Sequence, residues 1–103
     1  MAERMVGGLS DPAPATPEVQ EIANKVKGQL EQVTNTSYSI FQAISYSTQV
    51  VSGTNYVIKV SVQHGDAATD YVHLWVFQAL PCYGGGLKLS RYQLGKTRDD
   101  PIP

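Results

Sequence analysis

The chain has 103 residues, a length that suits one domain able to bury a core without disulfide or metal staples. Eight Lys and Arg against nine Asp and Glu leave a formal charge of -1, which lacks the basic excess of a nucleic-acid module. One cysteine excludes an internal disulfide framework, no apolar run nears the ~18 residues of a membrane span, and Met1 to Gly8 has no hydrophobic signal core. These features predict a small soluble domain of the cytoplasm, with no membrane and no nucleic-acid partner.

Residues 1–16 read as an arm, because Gly7, Gly8, Pro12 and Pro14 disfavour regular structure and only Met5, Val6 and Leu9 are sizeable apolar groups. A helix is expected from 17 to 33. Thr16 can cap it, Pro17 suits its first position, and Glu18 complements its positive end. Val19, Ile22, Ala23, Val26, Leu30 and Val33 form one apolar stripe at the 3.6-residue period, and Thr34 to Ser37 closes the element.

From Tyr38 the period becomes two. Tyr38, Ile40, Gln42, Ile44 and Tyr46 are assigned to one face, with Phe41, Ala43, Ser45 and Ser47 on the other. Further β-rich runs follow at 56–62, 71–79 and, more weakly, 87–92. Short connections at 52–55, 64–70 and 81–86 predict antiparallel hairpins, hence one helix packed on a four-strand meander.

The chemistry-bearing residues do not assemble into an enzyme. Cys82 follows Pro81 at a hairpin tip while His73 lies mid-strand, so a thiol–imidazole pair is not expected. His64, Asp66, Asp70 and His73 lack zinc-like spacing, and Gly84 to Gly86 lacks the Lys-Ser/Thr and helix of a phosphate loop. Asp99 and Asp100 sit in a tail beside Pro101, a poor acid–base site. No cofactor and no metal are expected. The anomaly is Gln49-Val50-Val51-Ser52-Gly53, which puts two valines where a hairpin turn should be polar; Leu80-Pro81 repeats it. Such residues either continue strands into the core or offer an apolar tip to a partner.

Gln-Val-Val-Ser-Gly at 49–53 resembles the Gln-Val-Val-Ala-Gly signature of the cystatins, and the chain is most similar to their stefin (type 1) branch. The likeness runs from about Met5 to Asp100 and rests also on Gly7-Gly8-Leu9, Pro14 to Glu18, Gly53-Thr54-Asn55-Tyr56, His73-Leu74, Val76-Phe77 and Leu80-Pro81. The resemblance implies an α+β cystatin fold, with a five-stranded antiparallel sheet wrapped around one long helix and the arm supplying the first strand. It implies one stefin-type domain over 1–103, flexible over about 1–13.

The function implied is tight, reversible inhibition of papain-like cysteine proteases (papain or cathepsins B, H, L and S). Gly7, Gly8, Gln49, Val50, Val51, Ser52, Gly53, Leu80 and Pro81 would form a three-part wedge that occludes the cleft without chemistry of its own. A monomer that can exchange strands into a dimer is expected. The alternative is a cystatin-fold scaffold that no longer inhibits or serves another partner. Ser52 in place of the family's usual Ala, Cys82 after Leu80-Pro81, and the Pro-Ile-Pro terminus depart from the family pattern.

Overall fold

The structure, a computed structural model, describes residues 9–102. Strand β1 (Ala13–Pro14) leads into α1 (Pro17–Thr34), followed by β2 (Ile40–Val51), β3 (Gly53–Gln63), β4 (Asp70–Ala79) and β5 (Leu87–Lys96). The strands form one antiparallel sheet in the order β1-β2-β3-β4-β5, the five-stranded cystatin arrangement around a single helix.

Local chemistry fixes the helix ends. Thr16 Oγ1 accepts from the Val19 N–H at 3.2 Å, with Pro17 in the first turn and Glu18 beside the positive end. Asn35 takes a left-handed conformation (φ 53°), and its N–H donates to Glu31 O, which stops the helix one residue beyond the expected end. Val19, Ile22, Ala23, Val26 and Leu30 pack on Ile58, Val60, Val62, Val72, Leu74 and Val76 of the two central strands. Val33 was expected in this stripe and is instead exposed. In the last turn it borders an open groove with Leu89 and Tyr92, not the core.

The two faces assigned to β2 also need correction. Pairing passes from Ala43–Val60 to Ser45–Lys59, so Ile44 is an inserted residue and the alternation inverts across it. Tyr46 therefore joins Phe41 and Ala43 against the core, and Ser47 turns to the opposite face, where it pairs with Val57. Tyr38, just before the strand, is buried in the core too, while Ile40 and Ile44 are exposed. Helix side chains hold the distorted strand in place. Gln20 Nε2 donates to Phe41 O at 3.0 Å, and Gln20 Oε1 accepts from the Ala43 N–H at 2.8 Å.

β1 pairs with β2 at Ala13–Tyr46 and Pro14–Ser45, and the chain stays attached further out. The Ser10 N–H donates to Thr48 O at 2.8 Å, and Ser10 Oγ accepts from the Thr48 N–H at 2.9 Å. Ser10 to Ala15 is thus bound to a strand, not free. Gly7 and Gly8 lie outside the described residues. Strand β5 extends to Lys96, beyond the expected run, because its partner β4 continues to pair down to Tyr71.

Candidate functional site

The β2–β3 hairpin is tighter than its turn composition suggests. Pairing continues through Gln49–Asn55, Val50–Thr54 and Val51–Gly53, which leaves Ser52 alone as the connection, where a four-residue turn over 52–55 was expected. The Asn55 Nδ2 donates to Gln49 Oε1 at 3.1 Å and ties the two strands across the last turns. The tip is thus strand-paired to its last residues, yet it ends in apolar side chains. Val50 is 77% exposed and Val51 is exposed beside it. Of the two readings left open by the sequence, the core reading of these valines is excluded.

Gly53 connects this tip to the second hairpin. It pairs with Ala79, and its φ of +136° lies outside the range comfortable for other residues. A Cβ there would come within 2.5 Å of Gln78 O and 2.7 Å of the Phe77 ring. The close approach brings Leu80 and Pro81 to the same end of the sheet as Val50 and Val51. A shallow cleft of about 180 Å³ lies between, bounded by Gly53 and Thr54 on one side and by Gln78 to Pro81 and Gly85 on the other.

The loop that carries Leu80 and Pro81 has its own internal order. Pro81–Tyr83 forms a 3-10 turn in which the Tyr83 and Gly85 N–H groups both donate to Leu80 O, at 2.8 and 3.1 Å. The Gly84 N–H donates to Pro81 O, and Gly86 O accepts from the Ala79 N–H. Leu80 and Pro81 are exposed. Tyr83, passed over in the sequence, is 75% exposed beside them. An aromatic residue flanked by a glycine run in a turn was the available signal for it.

These two segments carry no Asp, Glu, Lys, Arg or His from Thr48 to Ile58 or from Leu74 to Leu87. The end of the sheet they form is an apolar, uncharged ridge with preformed backbone. The described start of the chain runs beside it, since Ser10 is bonded to Thr48, two residues before Val50. The geometry does not bring the thiol of Cys82 and the imidazole of His73 together. Cys82 is exposed in the loop beyond Ala79, whereas His73 is buried and paired with Lys59 in mid-sheet. Among the described residues, no three His, Cys, Asp or Glu side chains gather into a metal-binding group. No described helix is long and apolar enough to cross a membrane.

Among the described residues, one α-helix cradled by five antiparallel strands, with a Gln-Val-Val-Ser-Gly hairpin abutting Leu-Pro at one end, is a cystatin architecture. The Cystatin domain family matches residues 7–99, and the chain belongs to that family. It falls in the stefin branch, as its relatives show. It is 56% identical over 100 residues to leukocyte cysteine proteinase inhibitor 1 of Sus scrofa, covering 97% of this chain and 93% of that protein. Cystatin-A of Felis catus is 53% identical and Cystatin-A of Homo sapiens 52%, each over 96 residues, 93% of this chain and 94% of the relative.

Proposed function

We propose that the chain is a tight, reversible inhibitor of papain-like cysteine proteases that blocks the active-site cleft by occlusion and catalyses nothing itself. The observation that carries this reading is the junction of the two hairpins through Gly53, which joins Val50, Val51, Leu80 and Pro81 in one rigid apolar ridge. A ridge that enters a cleft displaces water from it, and its binding is not diminished by ordering a loop, because both hairpins are already fixed by backbone hydrogen bonds. Gln49 and Ser52 frame the first tip, and Tyr83 widens the second. Gly7 and Gly8 complete the wedge as the third segment, where the lack of side chains lets the backbone lie close to the protease. Inhibition of cysteine proteinases by a relative 56% identical supports the same reading.

An interface of about 800 Å² per partner is enough for nanomolar binding, near -12 kcal/mol, when the docking surface is preorganised. Titration of papain with nanomolar protein tests the proposal, with full recovery of inhibitor mass after dissociation. Normal papain turnover in micromolar protein overturns it. Removal of residues 1–8 should leave association unchanged and speed dissociation, since arm contacts form after the ridge docks. An unchanged dissociation rate would remove Gly7 and Gly8 from the wedge.

The finer assignments follow from the same picture. Cathepsins B, H, L and S are the targets that the stefin resemblance implies, and a single free Cys82 suits action in the reducing cytoplasm. The inhibitory form is the monomer. Opening of the hairpin at Ser52 would let β2 and β3 run on as one ribbon into a second chain, which hides Val50 and Val51. A dimer formed on mild heating and separated by size exclusion should be inactive against papain.

A further inference from the structure

The face of the sheet turned away from the helix has a cover of its own. Beyond β5 the chain makes a turn in which the Thr97 N–H donates to Asp100 Oδ2 at 2.7 Å and the Asp100 N–H donates to Thr97 O at 3.2 Å. Arg98 O then accepts from Lys59 Nζ at 2.6 Å, and Ile102 is buried although it is no part of the core beneath the helix. Lys59 projects from β3 on the outer face, next to His73 of β4, with which it pairs. His73 is 1% exposed, and neither ring nitrogen has a hydrogen-bond partner among the described residues. A neutral imidazole carries a donor and an acceptor, so this arrangement leaves both unused.

We infer that residues 97–102 form a strap over the outer face of the sheet, and that it lifts when His73 takes up a proton. An imidazolium buried there has two N–H donors and a charge to solvate. The groups that act on it are Lys59 from β3, Lys96 from the end of β5 and Asp100 from the strap, two cations against one carboxylate. Arg91 of β5 lies over the Trp75 ring, whose centroid is 6.4 Å from that of His73, and adds a third cation to the same face. Water can reach His73 by parting β4 from a neighbouring strand, β3 or β5, or, as a second route, by lifting the strap. Separation of β3 from β4 breaks a ten-pair ladder from Gly53–Ala79 to Val62–Asp70. Among the described residues, removal of the strap breaks one hydrogen bond to Lys59 and exposes one isoleucine. The second route is the cheaper one, and it leaves the ridge of Val50, Val51, Leu80 and Pro81 untouched. Desolvation, then Lys59 and Lys96, hold the imidazole below its ordinary 6.5 in the closed form, so the strap is docked at neutral pH and leaves under mildly acid conditions.

The test is a pH titration of the full chain from 7.5 to 4.5, followed by NMR of the isoleucine methyls and the histidine ring protons. The expected result is that Ile102 moves to a solvent-exposed shift with the same midpoint as His73, below pH 6.5, while Ile58 in the core is unchanged. The released-to-docked ratio should rise about tenfold per pH unit through the transition. Trp75, the sole tryptophan, reports the same step by fluorescence. Titration of His73 with Ile102 still in place overturns the inference, as does movement of Ile102 only together with Ile58. His73→Gln should keep the strap docked at pH 5, and its release there would assign the switch to another group. Should that variant fail to fold, Ile102→Ala decides the matter. It opens the strap at pH 7.5 and must raise the His73 midpoint toward 6.5; an unmoved midpoint rejects the coupling.

Discussion

Two glycines of this chain have opposite meanings. Gly53 holds a φ of +136° with Gln78 O and the Phe77 ring inside the space of a Cβ, so a side chain there forces apart the two hairpins that the ridge depends on. Gly53→Ala should cost about 1–3 kcal/mol of stability through backbone strain and the clash, and should weaken papain inhibition at least tenfold. Gly28 sits in the middle of α1, is exposed, and has open space for 4 Å around the point where a methyl group would stand. Gly28→Ala should therefore stabilise the protein by about 0.5–1 kcal/mol, a rise of several degrees in Tm for a chain of this size, with inhibition unchanged. Thermal unfolding and papain titration of the two variants separate a glycine that shapes the site from one that only weakens a helix. A Gly53→Ala protein with parental inhibition would remove the junction from the binding surface.

Between elements, side chains of α1 supply hydrogen bonds that the sheet cannot make for itself. Gln20 serves Phe41 O and the Ala43 N–H on the inner reach of β2, and Gln29 Oε1 accepts from the Leu89 N–H of β5 at 2.9 Å. Gln20→Ala leaves a backbone donor and acceptor without these partners, and the expected loss is about 1–3 kcal/mol, read as a lower urea midpoint at unchanged slope. A loss under ~0.5 kcal/mol would mean that water replaces the amide there. Much of the architecture was legible. The Thr16-Pro17-Glu18 start, the Val19 to Leu30 stripe and the alternation of β3 and β4 each follow from short-range periodicity and capping, and they appear as expected. Exposure of the Val50 and Val51 tip was expected only through resemblance, since alternation alone left these valines open between core and surface. The Ile44 insertion was not legible, because a bulge is set by how two strands meet and no local residue pattern marks it. The same holds for Gln20, whose partners lie more than twenty residues away. The Lys59 hydrogen bond to Arg98 O likewise joins segments far apart in sequence, so no local pattern marks the place of the tail.

At the scale of the whole molecule, the covered outer face makes stability depend on pH, with a sign fixed by His73. Its folded form disfavours protonation, through desolvation and then Lys59 and Lys96, whereas in the unfolded chain the ring titrates at its ordinary 6.5. Above pH 6.5 both states are neutral and this residue's full contribution is present. Below it the unfolded state binds a proton that the closed native state refuses, so stability falls, by at most about 1.4 kcal/mol per pH unit. Asp100 adds to the loss only further into the acid range, because the Thr97 N–H holds its carboxyl below the ordinary 3.8. The fall cannot continue to that point if the strap lifts first. Once residues 97–102 leave, the imidazole is solvated and its midpoint returns toward the unfolded value, so the loss is bounded by what docks the strap. Burial of Ile102 contributes roughly 2 kcal/mol of that bound, and the Lys59 hydrogen bond to Arg98 O adds about 1.5–3 kcal/mol. Urea unfolding of the parent from pH 7.5 to 4.5 should therefore show a decline that begins near pH 6.5 and levels off. Ile102→Ala, already open, should start lower and depend less on pH across that window. A parent whose stability is flat from pH 7.5 to 5 would mean that His73 is solvated in the native state and that no strap covers it.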